Sequence, residues 1–234
     1  MPELPLGGGT LRLLAERAAF LPTCGMLLVA DAHLGKAASF RRLGVPVPEA
    51  TTQGTLARLD AALAASGARG IVFLGDLLHS AHGRAAGTLE AFARWRRGRA
   101  ALDLVLVRGN HDDRAGDPPP EWGVRCVDEP FELDGLPGLA LCHHPEPHPG
   151  CYVLAGHVHP AASLGGRGPG RLRLPCFHFG ADVGVLPAFG EFTGSRVLPR
   201  APGDRVFVIA GDAVREVAAP AGLPRPGVAL NCAP

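Results

Sequence analysis

The chain has 234 residues, enough to bury a full core in one domain, and its 47% hydrophobic and 19% charged residues exclude general disorder. A net charge of +1 gives no global reason to expect a nucleic-acid binder, so any basic surface must be local. The 32 glycines and 23 prolines predict many turns, without a collagen-like period or an internal repeat.

One or two short strands, Thr10–Leu14 and Ala18–Leu21, lead into a first central strand at Met26–Ala30. Leu34–Leu43 reads as a short helix carrying Lys36, Arg41 and Arg42, and Val45-Pro46-Val47-Pro48 forces an extended segment. Thr51–Ala65 has Leu56, Leu59 and Leu63 at helical spacing behind a threonine cap, and Gly67 and Gly70 close it before the strand Ile71–Leu74. A helix at Ala85–Arg97 and a strand at Leu102–Val107 continue the alternation, which predicts parallel crossovers covered by helices. Past Asp117-Pro118-Pro119-Pro120 short strands follow one another: Val124–Val127, Phe131–Leu133, Leu139–Cys142, Tyr152–Ala155, Leu172–Phe179, Val183–Leu186, Val206–Ile209 and Ala213–Val217. This half is expected to be mostly antiparallel. The chain as a whole is expected to be α/β, with two sheets face to face flanked by helices, spanning 1–219 before a Pro/Gly-rich tail at 220–234.

Five of these strands end in chemistry-bearing residues. Met26–Ala30 runs into Asp31-Ala32-His33, Ile71–Leu74 into Gly75-Asp76, and Leu102–Val107 into Gly109-Asn110-His111-Asp112. Leu139–Cys142 runs into His143-His144, and Tyr152–Ala155 into Gly156-His157-Val158-His159. Parallel strands gather ligands where their carboxyl ends converge. Carboxylate, amide oxygen and imidazole without thiolate suit Mn²⁺, Fe²⁺ or Zn²⁺. The set exceeds the needs of one ion and fits two that share a bridging carboxylate. A pair of ions about 3.5–4 Å apart activates water and neutralises a phosphate under in-line attack.

The ordered set Asp31-x-His33, Gly75-Asp76, Gly109-Asn110-His111-Asp112, His143 and Gly156-His157-x-His159 resembles the signature of calcineurin-like metallophosphoesterases. The resemblance implies a four-layer α/β/β/α sandwich. It implies Asp31, His33 and His159 at a first metal, Asp76 as bridge, and Asn110, His143 and His157 at a second. His111 would stabilise the transition state or protonate the leaving oxygen, with Asp112 orienting its ring. A water between the ions, rather than a side chain, would be the nucleophile. The stretches V-A-D-A-H-L-G-K at 29–36, L-C-H-H-P at 141–145, V-L-A-G-H-V-H-P at 153–160, Leu172–Phe179 and V-L-P-A-F-G at 185–190 are similar to the ligase-associated bacterial nucleases often called PdeM. That likeness implies a manganese-dependent phosphodiesterase, an endonuclease on single-stranded DNA tied to DNA repair, working alongside an ATP-dependent DNA ligase and a helicase. The alternatives are a phosphomonoesterase or a cyclic-nucleotide phosphodiesterase of the same fold, or a non-catalytic interaction module.

Several residues carry two readings. Alternation sends His143 and His144 to opposite faces, so one of them faces the metals, and the resemblance favours His143. His79 either approaches the site or lies on the surface, and His82, His148 and His178 read as loop or packing residues. Lys36, Arg41, Arg42, Arg84, Arg114, Arg167, Arg171 and Arg173 follow metal-site blocks closely enough to reach phosphates, or line solvated faces. Phe40 is either core or a base-stacking ring. Cysteines 24, 126, 142, 151, 176 and 232 include no C-x-x-C pair and read as reduced packing residues. No basic leader precedes an apolar stretch, and no apolar run nears about 18 residues, so a cytoplasmic protein without membrane association is expected.

Overall fold

The computed structural model describes residues 1–42, 44–47, 51–165 and 170–218. Leu43, Pro48, Arg167 and the tail at 220–234, all part of the sequence reading, lie outside the described residues. In chain order the elements are β1 (Glu3–Leu6), β2 (Gly9–Leu13), β3 (Ala19–Leu21), β4 (Met26–Ala30), α1 (Lys36–Arg42), α2 (Thr51–Ser66), β5 (Gly70–Leu74), α3 (Ala86–Arg97), β6 (Asp103–Val107), α4 (Asn110–Ala115) and β7 (Val124–Val127). The second half adds β8 (Phe131–Glu132), β9 (Leu139–Leu141), β10 (Tyr152–Ala155), β11 (Pro160–Gly165), β12 (Arg171–Phe179), β13 (Val183–Val185), β14 (Arg196–Val197), β15 (Arg205–Ala210) and β16 (Ala213–Val217).

Strands β1 to β7 form one sheet in sequence order. It is antiparallel from β1 to β4 and parallel from β4 to β7, where helices make the crossovers. The second sheet runs β14-β11-β12-β13-β10-β9-β8, with β15 pairing β12 and β16. It is mostly antiparallel, but β9, β10 and β13 lie parallel to one another, as do β11 and β14. The parallel trio matters for the site: only strands of one direction can bring His143, after β9, and His157, after β10, to the same edge.

Period-2 alternation divides the first sheet's side chains between two cores. Leu28, Ala30, Val72, Leu74, Val105 and Val107 face the second sheet, meeting Leu139, Leu141, Tyr152, Leu154, Phe177 and Phe179. Leu27, Val29, Ile71, Phe73, Leu104 and Leu106 face outward and are covered by Leu56 and Leu59 of α2 and by Phe92 and Trp95 of α3. The two sheets therefore stack face to face, with helices on the outer face of the first. Beyond β7 the described residues form only strands and turns, so no described helix covers the far side of the second sheet. No described helix is long and apolar enough to cross a membrane.

Four elements lie outside the sequence reading: β1, β11, the two-residue β14 and α4. Strand β1 carries Pro5, which removes a ladder donor and suits the sheet edge that β1 occupies, while Leu4 and Leu6 point inward. Strand β11 is P-A-A-S-L-G, too poor in β-branched residues to read as a strand, and is fixed by its long antiparallel pairing with β12. The short α4 begins inside the Asn110 block, where Asp112 accepts the Gly109 N–H at 3.0 Å.

Phe92 is fully buried, with its ring 4.1 Å from Trp122 and 5.2 Å from Trp95. Phe92→Ala is expected to cost about 3–5 kcal/mol in urea unfolding. A loss under about 1 kcal/mol would show that this helical layer does not hold the sheet.

Candidate metal centre

The site is built where the parallel strands of both sheets end. Asp31 follows β4, Asp76 follows β5, Asn110 follows β6, His143 follows β9 and His157 follows β10. Short bonds between these loops lock them together. The Asp76 carbonyl accepts the His33 N–H at 2.8 Å, Asp76 Oδ1 accepts the His111 N–H at 2.9 Å, and the Asp31 carboxylate accepts the His157 N–H at 2.9 and 3.1 Å. Asp31, His33, Asp76, His157 and His159 all hold left-handed backbone conformations, with φ between 44° and 70°. Asp and His tolerate this region better than most side chains, yet each such residue still costs about 1–3 kcal/mol. The turns bend each ligand back over its own strand end.

All seven predicted ligands converge. His33 Nε2 lies 3.7 Å from Asp76 Oδ2 and 3.3 Å from His159 Nε2, and His159 Nε2 lies 3.5 Å from Asp31 Oδ1. On the other side His143 Nε2 lies 3.5 Å from Asp76 Oδ1, 2.9 Å from Asn110 Oδ1 and 3.0 Å from His157 Nδ1. The two oxygens of Asp76 thus face two different groups of donors. Asp31, His33, Asp76 and His143 are buried, while His157 opens the site to solvent.

The donor chemistry fits cations. The Leu74 carbonyl lies 3.1 Å from His143 Nδ1, and the Gly194 carbonyl lies 3.1 Å from His159 Nδ1. Each carbonyl takes the ring proton on Nδ1, so both Nε2 lone pairs point inward at other acceptors. Burial, with Lys36 next, holds His33 far below the usual imidazole range, and burial together with His143 lowers His157. His159 runs the other way, raised by Asp31 against its own burial. The lowered imidazoles of His33 and His157 and the buried carboxylate oxygens aimed at the same space leave lone pairs that divalent ions would satisfy.

His111 flanks this cluster with Nε2 3.9 Å from Asp76 Oδ2. Its Nδ1 meets the His79 carbonyl oxygen at 2.5 Å. Asp112 does not touch that ring. Its carboxylate accepts the Gly109 N–H and, at 3.2 Å, the Leu78 N–H, and burial pushes its carboxyl up to about 7. The ring-orienting role expected of Asp112 therefore belongs to the His79 carbonyl, because Asp112 is spent on capping α4 and tying it to the Asp76 loop.

His143 and His144 do not go to opposite faces: their rings lie 4.8 Å apart, and with His157 they offer donor atoms that could share an ion. His143 enters the cluster, while His144 Nδ1 pairs with Glu129 at 2.6 Å and its ring lies 4.7 Å from that of His157. The Glu129 carboxylate also accepts the N–H groups of His143 and His144 at 2.7 and 2.9 Å, which fixes the turn after β9. Glu129 was invisible in the sequence, since it lies fourteen residues upstream in no motif. His79 belongs to the site. Its ring stacks on His111 at 4.9 Å, its Nδ1 is 3.3 Å from His33 Nδ1, and burial, Lys36 and His111 take it down to about 4. His178 pairs with Asp204 at 2.7 Å.

Among the basic candidates, Lys36 is half-buried near Asp31 and Asp76. Arg84 is committed to the carbonyls of Ala115, Gly116 and Asp117, where it closes the end of α4 instead of facing substrate. Arg41 donates to the Val47 carbonyl, Arg42 and Arg114 are exposed, and Arg171 and Arg173 sit on the exposed start of β12. Phe40 is half-buried beside His79.

The chain is similar to a Pseudomonas putida nuclease MPE, with 43% identity over 92% of this chain and 99% of that one, at a TM-score of 0.79. A phosphoesterase from E. coli, Yfce, aligns at 17% identity over 82% of this chain and 98% of its own, at a TM-score of 0.42. No family model and no curated protein matches the sequence.

Gly75 tests the geometry of the cluster. Its φ is +76°, and a methyl group there would stand against the His143 ring. Gly75→Ala is expected to keep the far-UV circular dichroism of the wild type while losing at least half of the bound Mn²⁺ after loading and gel filtration. Full metal retention would show that His143 is not fixed by this contact.

Proposed function

Since the chain belongs to the metallophosphoesterase superfamily, we propose that it is a two-metal phosphodiesterase, working with Mn²⁺ as an endonuclease on single-stranded DNA. The carrying observation is Asp76, whose two carboxylate oxygens face separate donor groups, His33 on one side and His143 on the other. Asp31, His33 and His159 would hold one ion and Asn110, His143 and His157 the other, with Asp76 shared. When bound, the pair supplies Lewis acidity to the phosphoryl oxygens and to the attacking water. Likeness to a nuclease over nearly the whole of both chains supports the polynucleotide substrate, and the family resemblance in the sequence supports manganese and the repair setting.

The chain's own groups supply the rest. With Nδ1 committed to the His79 carbonyl, His111 has only Nε2 free for the reacting phosphate. The protonated ring then donates from Nε2 to the departing oxygen, and its stacking on His79 holds the angle of approach. His79 is kept neutral by burial and by Lys36, so it does not repel that protonated neighbour. Lys36, half-buried at the start of α1, faces the same carboxylates and adds positive charge beside the phosphate path.

His111→Ala is expected to bind as much Mn²⁺ as the wild type and to lose 10²–10⁴-fold in turnover of bis(p-nitrophenyl) phosphate. Near-normal turnover would remove His111 from the chemistry. The wild type with Mn²⁺ is expected to linearise circular single-stranded DNA and to prefer the bis ester over p-nitrophenyl phosphate. Preference for the monoester would favour a phosphomonoesterase, and an intact circle beside a degraded linear strand would make the enzyme an exonuclease.

A further inference from the structure

The loop after β13 carries a side chain, Phe192, that is half in water. Its ends are tied down. The Glu191 N–H donates to Thr55 Oγ1 at 3.2 Å, Arg58 binds the Phe189 carbonyl and the Glu191 carboxylate, and the Gly194 carbonyl meets His159. Between these anchors Phe192 sits in a left-handed conformation, φ 59°, with 49% of its surface exposed. A phenyl ring in that backbone region, left half in water, costs free energy twice and fills no core. Its edge packs on Phe40 at 5.5 Å, Phe40 lies on His79 at 6.2 Å, and His79 lies on His111 at 4.9 Å. A row of rings therefore runs from the leaving-group side of the centre to the exposed phenyl.

Arg17, in the turn between β2 and β3, also has φ above zero, at 63°. It is half-buried, and among the described residues its guanidinium has no hydrogen bond or ion pair. Glu191, whose charge reaches Arg17, is paired with Arg58, whose own charge repels Arg17. Arg17 lines a cleft of about 150 Å³ together with His159, Arg173, Thr193 and Gly194. It also lines a more open cleft of about 420 Å³ shared with Thr51, Arg58, Glu191 and Phe192. One unpaired guanidinium thus lies between His159 and the exposed ring.

We propose that Arg17 and Phe192 form a nucleotide subsite beside the metal centre, Arg17 holding a phosphate next to the scissile one and Phe192 stacking on an unpaired base. The proposal rests on the nuclease reading above and gives it a residue-level basis for choosing single strands. A guanidinium on the backbone and an aromatic face on the base are the two elements of single-strand recognition, and a paired base in a duplex offers no free face to the ring.

The test uses the Mn²⁺-loaded full chain with a linear single-stranded oligonucleotide, the same strand carrying abasic positions, and bis(p-nitrophenyl) phosphate. Phe192→Ala is expected to lower kcat/KM on the intact strand about five- to 150-fold, with a smaller loss on the abasic strand and recovery in Phe192→Trp. Arg17→Ala is expected to lose at least ten times more on either strand than on the small diester, and to reduce the slope of log activity against log salt by about one. Equal losses on all three substrates, or no loss on the intact strand, would overturn the subsite while leaving the nuclease reading in place. A wild type that hydrolyses the small diester and leaves both strands intact would overturn the nuclease reading and the subsite together.

Discussion

Two carboxylates buried where two sheets meet set the terms for this structure. Asp31 and Asp76 are 0% and 2% exposed, and no lysine or arginine among the described residues pairs with either. Their ion-pair partners are histidines: burial holds His33 neutral, while Asp31 raises His159 against its own burial. Backbone N–H groups of His157 and His111 satisfy some of the oxygens but bring no whole charge. Lys36 lies near both carboxylates without pairing with either, so these buried anions lack a permanent cation in contact, and burial accordingly raises the Asp76 carboxyl. Divalent ions are the compensation that this arrangement calls for, so metal binding and stability are one problem here.

The rest of the fold delivers donors to that point. Parallel strands β4, β5 and β6 present Asp31, Asp76 and Asn110 at a common edge, and the parallel pair β9 and β10 does the same for His143 and His157 from the second sheet. Strand order alone would leave these side chains alternating up and down. The left-handed residues at the strand ends turn them inward instead, at a cost that the two large apolar cores repay. Gly109 belongs to the same design, since a Cβ there would crowd Asp76 Oδ1 and the His143 ring.

Much of this was legible in the sequence because the strands are short apolar runs that stop abruptly at Gly, Asp or His. Val124–Val127 and Tyr152–Ala155 match the observed strands end to end, and Thr51–Ala65 falls one residue short of α2. The seven donors were legible because each follows such a run. Several features were not. Strand β11 owes its conformation to its partner rather than to its own residues, and α4 begins within what reads as a ligand loop. Asp112 stands beside His111 in the chain, but helical geometry turns the two side chains apart, so adjacency in sequence pointed to the wrong orienting group.

The orienting groups explain why a motif shows only half of such a site. His143 is aimed by the Leu74 carbonyl, His159 by the Gly194 carbonyl and His111 by the His79 carbonyl. A backbone oxygen belongs to every residue, so no letter of the sequence marks it; it becomes specific only once a strand end or a loop is fixed in space. The loop that supplies Gly194 is itself fixed through Arg58 and Thr55 on α2, and the turn that supplies His79 is held by Asp112 through the Leu78 N–H. Helix α2 therefore reaches the metal centre without contributing a ligand, and α4 reaches it through Asp112 as well as through Asn110: each helix pins a peptide unit whose oxygen sets the proton on one imidazole, and through it the direction of that ring's other lone pair.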